Sequence, residues 1–399
     1  MIKETPFHPR TSAVNSTGLW SHWAGYLAAD KYQMSDKFEY FAIRNSAAVI
    51  DTSPLYKYRI SGPDAERYLT GVLVRDIRKC RPGQAHYTAW CDDEGWVIED
   101  GVILRLSEDE FLLTAAEPNL AYLDGLVSGM SVEIEDVSEG YGALALQGPY
   151  AKEILGQLAP EVEDVGYFHL TPAKIGKAAV TISRTGYTGD LGYEIWVDAD
   201  DAVDLWDRLF EVAGAYGVIP AGQNALLISR IEAGLILIDV DFHSARYAWN
   251  DDQRATPHEL NMGWMLRDLE SDVRAFIGRR AIEREVAEGS SRWRTVGIVV
   301  DWEHWAKTHN DRGLVTPKDH TPEHGGMMLY DEDIERIGYT PSFVYSPVLQ
   351  NHIGIARVRP EHADVGTKVG LEVTIDHRYE IVDSHVTRLP FYNPPRKTA

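Results

Sequence analysis

The 399-residue sequence predicts an α+β fold that gives way to an all-β C-terminal region, and three observations carry that reading. An apolar segment, a Gly-Pro-x-Ala turn and a helical pattern recur in the same order at residues 56–72 and 142–158. Strands and helices alternate irregularly and no Gly-x-Gly-x-x-Gly turn occurs, which argues against a dinucleotide-binding sheet. After Arg294 the texture becomes short strand-like runs separated by turn residues.

In the first copy of the repeat, Tyr58 and Ile60 lead into Ser61-Gly62-Pro63-Asp64-Ala65, with Ala65, Tyr68, Leu69 and Val72 at helical spacing. Leu144 and Leu146 lead likewise into Gln147-Gly148-Pro149-Tyr150-Ala151, and Ala151, Ile154, Leu155 and Leu158 repeat the stripe. The proline is expected in the first helical turn, which tolerates its missing N–H. Asp201 ahead of Ala202, Leu205, Trp206 and Leu209 signals a third helix, stopped at Gly214 or Gly217. Strands are expected at 178–183, 193–197, 295–300, 353–358 and 369–375, with a long polar excursion at about 302–340.

A chain of this length can bury a large core and is expected to divide into two or three domains. Its 39 Lys plus Arg against 61 Asp plus Glu give a net charge of −22, so nucleic acid and anionic membrane surfaces are poor partners. The N-terminus lacks an apolar signal core and no apolar run approaches a membrane span, which predicts a cytoplasmic protein. Cys80 and Cys91 are too few for a disulfide framework and are read as small core residues.

Two acids interrupt otherwise apolar strands. Glu194 follows a glycine-punctuated turn, Arg184-Thr185-Gly186-Tyr187-Thr188-Gly189, and strand alternation places it on one face with Trp196 while Tyr193, Ile195 and Val197 take the other. A carboxylate there suits a flat heterocycle with paired N–H donors; an edge-strand Glu facing water explains it as well. Glu99 and Asp100 interrupt a second strand, beside Gly101, where a bulge or a close ligand approach would fall. One of the two is expected to point inward, serving donors or a ligand, unless both belong to a hairpin turn.

Ser183-Arg184-Thr185-Gly186-Tyr187-Thr188-Gly189 with Gly192 and Glu194, Gln147-Gly148-Pro149, Trp96-Val97-Ile98-Glu99-Asp100, Arg230-Ile231-Glu232-Ala233 and Pro390-Phe391-Tyr392 resemble the T-protein family of tetrahydrofolate-dependent enzymes. That family includes the aminomethyltransferase of glycine cleavage and several folate-dependent demethylases. The resemblance, over roughly residues 40–392, implies a three-domain cloverleaf: two ferredoxin-like α+β domains and a distorted C-terminal β-barrel around a central folate channel. It divides the chain into a discontinuous folate-binding domain at 1–57 and 141–255, a second α+β domain at 58–140 carrying Asp100, and the barrel at 256–399. Carried over by position, Glu194 pairs with the pterin, Asp100 lies beside the reactive nitrogen as the catalytic acid, and Tyr87, Tyr187, Arg230 and Trp264 complete the folate site.

Departures bear on the substrate. Where the glycine-cleavage enzyme has Ala-Arg-Asp, this chain reads Ala225-Leu226-Leu227, and Asp51-Thr52-Ser53-Pro54-Leu55 replaces its histidine-containing segment. Both changes resemble the demethylase branches, so a small methylated donor is expected as partner and a lipoyl carrier protein is not. Trp23, Tyr26 and Tyr56 are expected to border the substrate, although a helix packing face would account for the N-terminal aromatics equally. Trp302, with Trp305 and Tyr345, is expected to cap the pocket or to pack the excursion onto the barrel. His304, His309, His320 and His324 show no paired ligand spacing with an acid, so no metal is assigned. The expected function is methyl transfer to N5 of tetrahydrofolate; the alternatives are aminomethyl transfer and non-catalytic folate binding, the latter without its Lys-Gly-Cys-Tyr signature here.

Overall fold

Strands of the two repeat copies nucleate two separate sheets in the computed structural model, which describes residues 2–267, 269 and 274–399. The first sheet runs in the order Leu170–Ile175, Ala178–Ser183, Gly192–Asp198, Tyr141–Gln147, Ala48–Asp51, Ile219–Pro220, antiparallel except for the last pair. The second runs Gln84–Cys91, Val97–Arg105, Glu110–Ala115, Tyr56–Ser61, Glu133–Asp136. Each copy continues into its predicted helix, Ala65–Val72 and Ala151–Leu158. The glycines between are obligatory: Gly62 and Gly148 have φ of +123° and +138°, and a Cβ on either would lie 2.5 Å from a carbonyl oxygen. Pro63 lies in the turn one residue ahead of the N-cap Asp64, so it sets the entry to the helix from outside its first turn.

Alternation decides which side of each sheet is covered. Val49, Leu144, Leu146, Tyr193, Ile195 and Val197 pack on Ile154, Leu155, Leu205, Trp206 and Leu209 of the helices Ala151–Leu158 and Ala202–Ala213. Tyr58, Ile60, Ile103, Phe111 and Leu113 pack on Tyr68, Leu69 and Val72 in the second unit. The opposite faces of the two sheets meet each other, Ala85, Leu104 and Leu112 against Ala143 and Trp196.

The C-terminal region closes into a six-stranded antiparallel barrel, Arg294–Val300, Asn351–Val358, Arg336–Ser346, Met327–Tyr330, Lys368–Ile375 and Arg378–Thr387. The excursion is less irregular than its composition predicts. Asp301 caps a helix, Trp302–Asn310, by accepting the His304 N–H at 2.8 Å, and residues 327–330 and 336–340 already belong to barrel strands. The N-terminal aromatics lie on a β-hairpin, Trp20–Trp23 with Tyr26–Ala29, which corrects the helical alternative. Helix Gln223–Glu232 is enclosed between the first sheet and the barrel, packing Ala225, Leu226, Ile228 and Ile231 against Ile50, Ala145, Val344 and Ile353. No helix among the described residues is long and apolar enough to cross a membrane.

Candidate active site between the two sheets

Register brings the two acids to facing surfaces. Glu194 pairs with Ser183 and Ala145, so it lies on the face that also carries Trp196, the one turned to the second sheet. Asp100 pairs with Ala89, and Tyr87 with Val102, putting both on the face of Ala85 and Leu104 that is turned to the first sheet. Glu99 takes the other face and is fully buried, its carboxylate accepting the Asp100 N–H at 3.1 Å and the Glu117 N–H at 2.9 Å. Gly101 meets a neighbouring strand in place of a ligand, since a Cβ there would lie 2.0 Å from the Thr114 carbonyl oxygen.

Each acid accepts one side-chain hydrogen bond. Tyr87 donates its hydroxyl to Asp100 Oδ2 at 2.6 Å. Trp196 Nε1–H donates to Ser183 Oγ at 3.2 Å, which leaves the serine to donate to Thr185 Oγ1 at 2.7 Å and Thr185 to donate to Glu194 Oε2. This relay has one consistent proton order, so it presents an acceptor to whatever lies beyond Glu194. Asp100, Tyr87, Tyr187 and Glu194 all keep partial solvent access, yet burial is the leading cause of the raised pKa of each. Burial pushes the Asp100 carboxyl up to about 6, opposed by the Tyr87 hydrogen bond, and holds Glu194 above its ordinary range.

The glycine turn is wrapped around Gln147. A Cβ on Gly186 or Gly192 would fall within 2.4 Å of the Gln147 amide, whose Oε1 accepts from Thr188 at 2.7 Å. Gly189, at φ +71°, presses on Ala233, where a Cβ would come within 2.4 Å of Ala233 Cβ. Tyr187 donates to the Ile236 carbonyl, with Asp100, Asp241 and Arg230 as its charged neighbours.

The architecture repeats a known one and the sequence carries its signatures. The family described as "GCVT N-terminal domain" matches residues 10–268, and "Glycine cleavage T-protein C-terminal barrel domain" matches residues 312–393. The chain belongs to the glycine cleavage T-protein family. Similar members are an aminomethyltransferase of Halothermothrix orenii, 31% identical over 88% of this chain and 90% of that protein, and one of Saccharopolyspora erythraea, 30% identical over 98% of each. A trimethylamine-oxide aldolase of Ruegeria pomeroyi is 30% identical over 98% of this chain and 46% of its own length. The crystal structure of glycine cleavage system aminomethyltransferase T from Bartonella henselae superposes with a TM-score of 0.82 at 22% identity, covering 98% of this chain and 99% of that one, which shows the shared fold. As a T-protein family member this chain is a tetrahydrofolate-dependent one-carbon transferase.

The remaining positions separate into channel and scaffold. Arg230 is fully buried, so its expected contact with folate is corrected: it bonds Asp241 at 2.7 Å, Ser342 at 2.8 Å and the Leu235 carbonyl at 3.2 Å. Glu232 is buried too, accepting from Arg44 at 2.6 Å, Tyr40 at 2.5 Å and Ser346 at 2.5 Å. Both residues therefore tie this enclosed helix to the barrel, through Ser342 and Ser346. Trp264 stays accessible, with the Arg75 guanidinium 5.0 Å from its ring, and Arg75 also donates to the Tyr87 carbonyl at 3.3 Å, which ties the indole to the strand that carries Tyr87.

The aromatics expected at the substrate pack against protein groups or line a recess. Tyr56 shares a face with Tyr58 and stacks on it at 6.3 Å, on the helix-covered side of the second sheet and away from Asp100. Tyr26 is buried beneath the Lys3 ammonium, 5.6 Å from its ring. Trp23 lines a small recess with Trp20, Tyr32, Asp51 and Gln223, apart from the two acids. Trp302 stacks on His352 at 6.2 Å and carries Lys318, 5.2 Å from its ring, so the cation over it belongs to the protein and the indole packs the excursion onto the barrel. Asp241, missed in the sequence, links Arg230 and Ser342 to the Leu237 N–H at 2.8 Å; its one signal is an acid between Val240 and Phe242.

Proposed function

We propose that this T-protein family member transfers a methyl group from a small methylated O-, S- or N-methyl donor to N5 of tetrahydrofolate. What supports the reading is two carboxylates on facing sheets, each accepting one side-chain hydrogen bond and keeping partial solvent access. Glu194 accepts the pterin's ring N–H and amino group, fixing the ring in plane. Asp100 then stands by the amine that takes the carbon, stabilising its developing positive charge and receiving the proton that N5 releases. Tyr87 orients Asp100, and Tyr187 and Trp264 provide the aromatic walls.

The donor side supports methyl over aminomethyl transfer. Leu226 packs on Ile50 and Ala145, a cross-strand pair whose Ala145 is in turn paired with Glu194, where the glycine-cleavage pattern has a charged side chain. Aminomethyl transfer from a lipoyl carrier is the second reading, favoured by the relatives named aminomethyltransferase. We further propose the domain division at 57/58, 140/141 and 255/256 and a cytoplasmic location, in keeping with two buried free thiols. The test is to mix the protein with tetrahydrofolate and sulfonium, quaternary-ammonium, N-methyl and methoxyaryl donors and to assay 5-methyltetrahydrofolate. Product from one donor class is expected; ammonia release with an aminomethyl-lipoyl carrier, and no methyl product, would establish the second reading instead.

A further inference from the structure

Strand register sets three polar side chains around Glu194 in a fixed order. Ser183 stands directly opposite Glu194 across the strands Ala178–Ser183 and Gly192–Asp198, and Trp196, two residues along, is its diagonal neighbour on the same face. The turn that follows brings Thr185 back over the pair, its carbonyl accepting from Gln147 Nε2 at 3.3 Å. Ser183, Thr185 and Trp196 are all buried. An indole N–H can only donate. Trp196 donates to Ser183 Oγ at 3.2 Å, Ser183 therefore donates to Thr185 Oγ1 at 2.7 Å, and Thr185 is left to donate to Glu194 Oε2. Without that donor at its far end the same chain could run in reverse, from a protonated Glu194 to Thr185 and on to Ser183.

Charge does not fix the state of Glu194. Burial favours the protonated acid, the Thr185 hydrogen bond opposes it, and no charged side chain among the described residues enters that balance. Tyr87 and Asp100 on the facing sheet are bonded to each other at 2.6 Å, Tyr187 donates to the Ile236 carbonyl, and Arg184 in the turn donates to the Val165 carbonyl at 3.4 Å. A neutral relay thus stands in the place of a counter-charge.

We propose that Thr185 and Ser183 are positioning residues for folate: polarised by Trp196, they hold Glu194 ionised, so that it meets the pterin's N–H edge as an acceptor. This rests on the reading of Glu194 as the pterin-binding acid. A protonated Glu194 would set a donor against the pterin's own donors, so the relay sets the lower pH limit of folate binding.

The test titrates 5-formyltetrahydrofolate calorimetrically from about pH 5 to 8 into wild type, Thr185→Val, Thr185→Ser and Ser183→Ala. Thr185→Val is expected to weaken binding on the order of tenfold at neutral pH and to move its acid loss upward by about one pH unit, the worth of a hydrogen bond to a charged group. Thr185→Ser, which keeps the hydroxyl, restores both; Ser183→Ala, which frees Thr185 to reverse, moves the acid loss in the same direction as Thr185→Val. An acid limb unmoved in Thr185→Val, or moved equally in Thr185→Ser, overturns the proposal, because a packing role would weaken binding alike at every pH. Carboxyl-carbon NMR of Glu194, assigned with Glu194→Gln, keeps this proposal apart from the folate reading. A titration midpoint that rises in Thr185→Val and returns in Thr185→Ser supports the relay even in protein that binds no folate, a result that would overturn the folate reading alone; an unmoved midpoint overturns the relay.

Discussion

Replacing Asp100 with Asn should make the protein more stable and nearly inactive at once. Asn keeps a carbonyl acceptor for the Tyr87 hydroxyl, now bonded at 2.6 Å, and removes only the ionisation. Burial raises the Asp100 pKa from 3.8 to about 6, so holding the carboxylate ionised at pH 8 costs about 3 kcal/mol. Partial solvent access reduces that to about 1–2 kcal/mol, the stabilisation expected of Asp100→Asn. The sign follows from linkage: the folded state binds this proton more tightly than the unfolded one, so wild type loses stability as pH rises from about 4 through about 6. The gap between variant and wild type should therefore be absent near pH 4 and full above pH 7, read from urea melts across that range. In the same variant kcat should fall on the order of a hundredfold, and the acid limb of kcat/KM, expected near pH 6 in wild type, should vanish. An Asp100→Asn protein less stable than wild type at pH 8 would refute the claim that this acid is strained by desolvation.

Glu194→Gln should weaken tetrahydrofolate binding on the order of tenfold to a hundredfold in a calorimetric titration while leaving the melting midpoint near wild type, because Gln still accepts from Thr185. Gly189→Ala should cost more than about 2 kcal/mol in chemical denaturation, combining φ of +71° with a 2.4 Å collision on Ala233. Adding Ala233→Gly should return only the steric part. Arg230→Met should destabilise by about 3–5 kcal/mol by stranding Asp241. It should also raise the acid limb of the pH profile, since Asp241 then acts on Asp100 without its counter-charge.

The repeat was readable because both copies must solve the same local problem. A strand turning into a helix over the same sheet needs positive φ at Gly62 and Gly148 and an apolar stripe at helical spacing, and these leave marks at fixed offsets. The barrel strands Thr295 to Val300 and Val369 to Ile375 were readable as short runs rich in β-branched residues and bounded by turn residues. Helix Trp302–Asn310 was not, because its composition is polar and the contacts of Trp302 and Trp305 are made to distant strands, at Tyr345, His352 and Phe343. The face that Tyr56 takes was not legible for a related reason: an aromatic near a site motif carries no mark of which sheet face it takes.

From the order of its residues alone the chain announces two acids set among apolar neighbours, the glycines that bend the backbone toward one of them, and the resemblance that joins both to a reduced pterin. Those are local properties, dictated by alternation and by which residues tolerate a left-handed turn. That Glu194 and Asp100 come to opposed faces and that Arg230 is spent holding Asp241 were settled only when two sheets and a barrel packed. Register and sheet-on-sheet contact join residues remote in the chain, and no local pattern records the partner a side chain will meet.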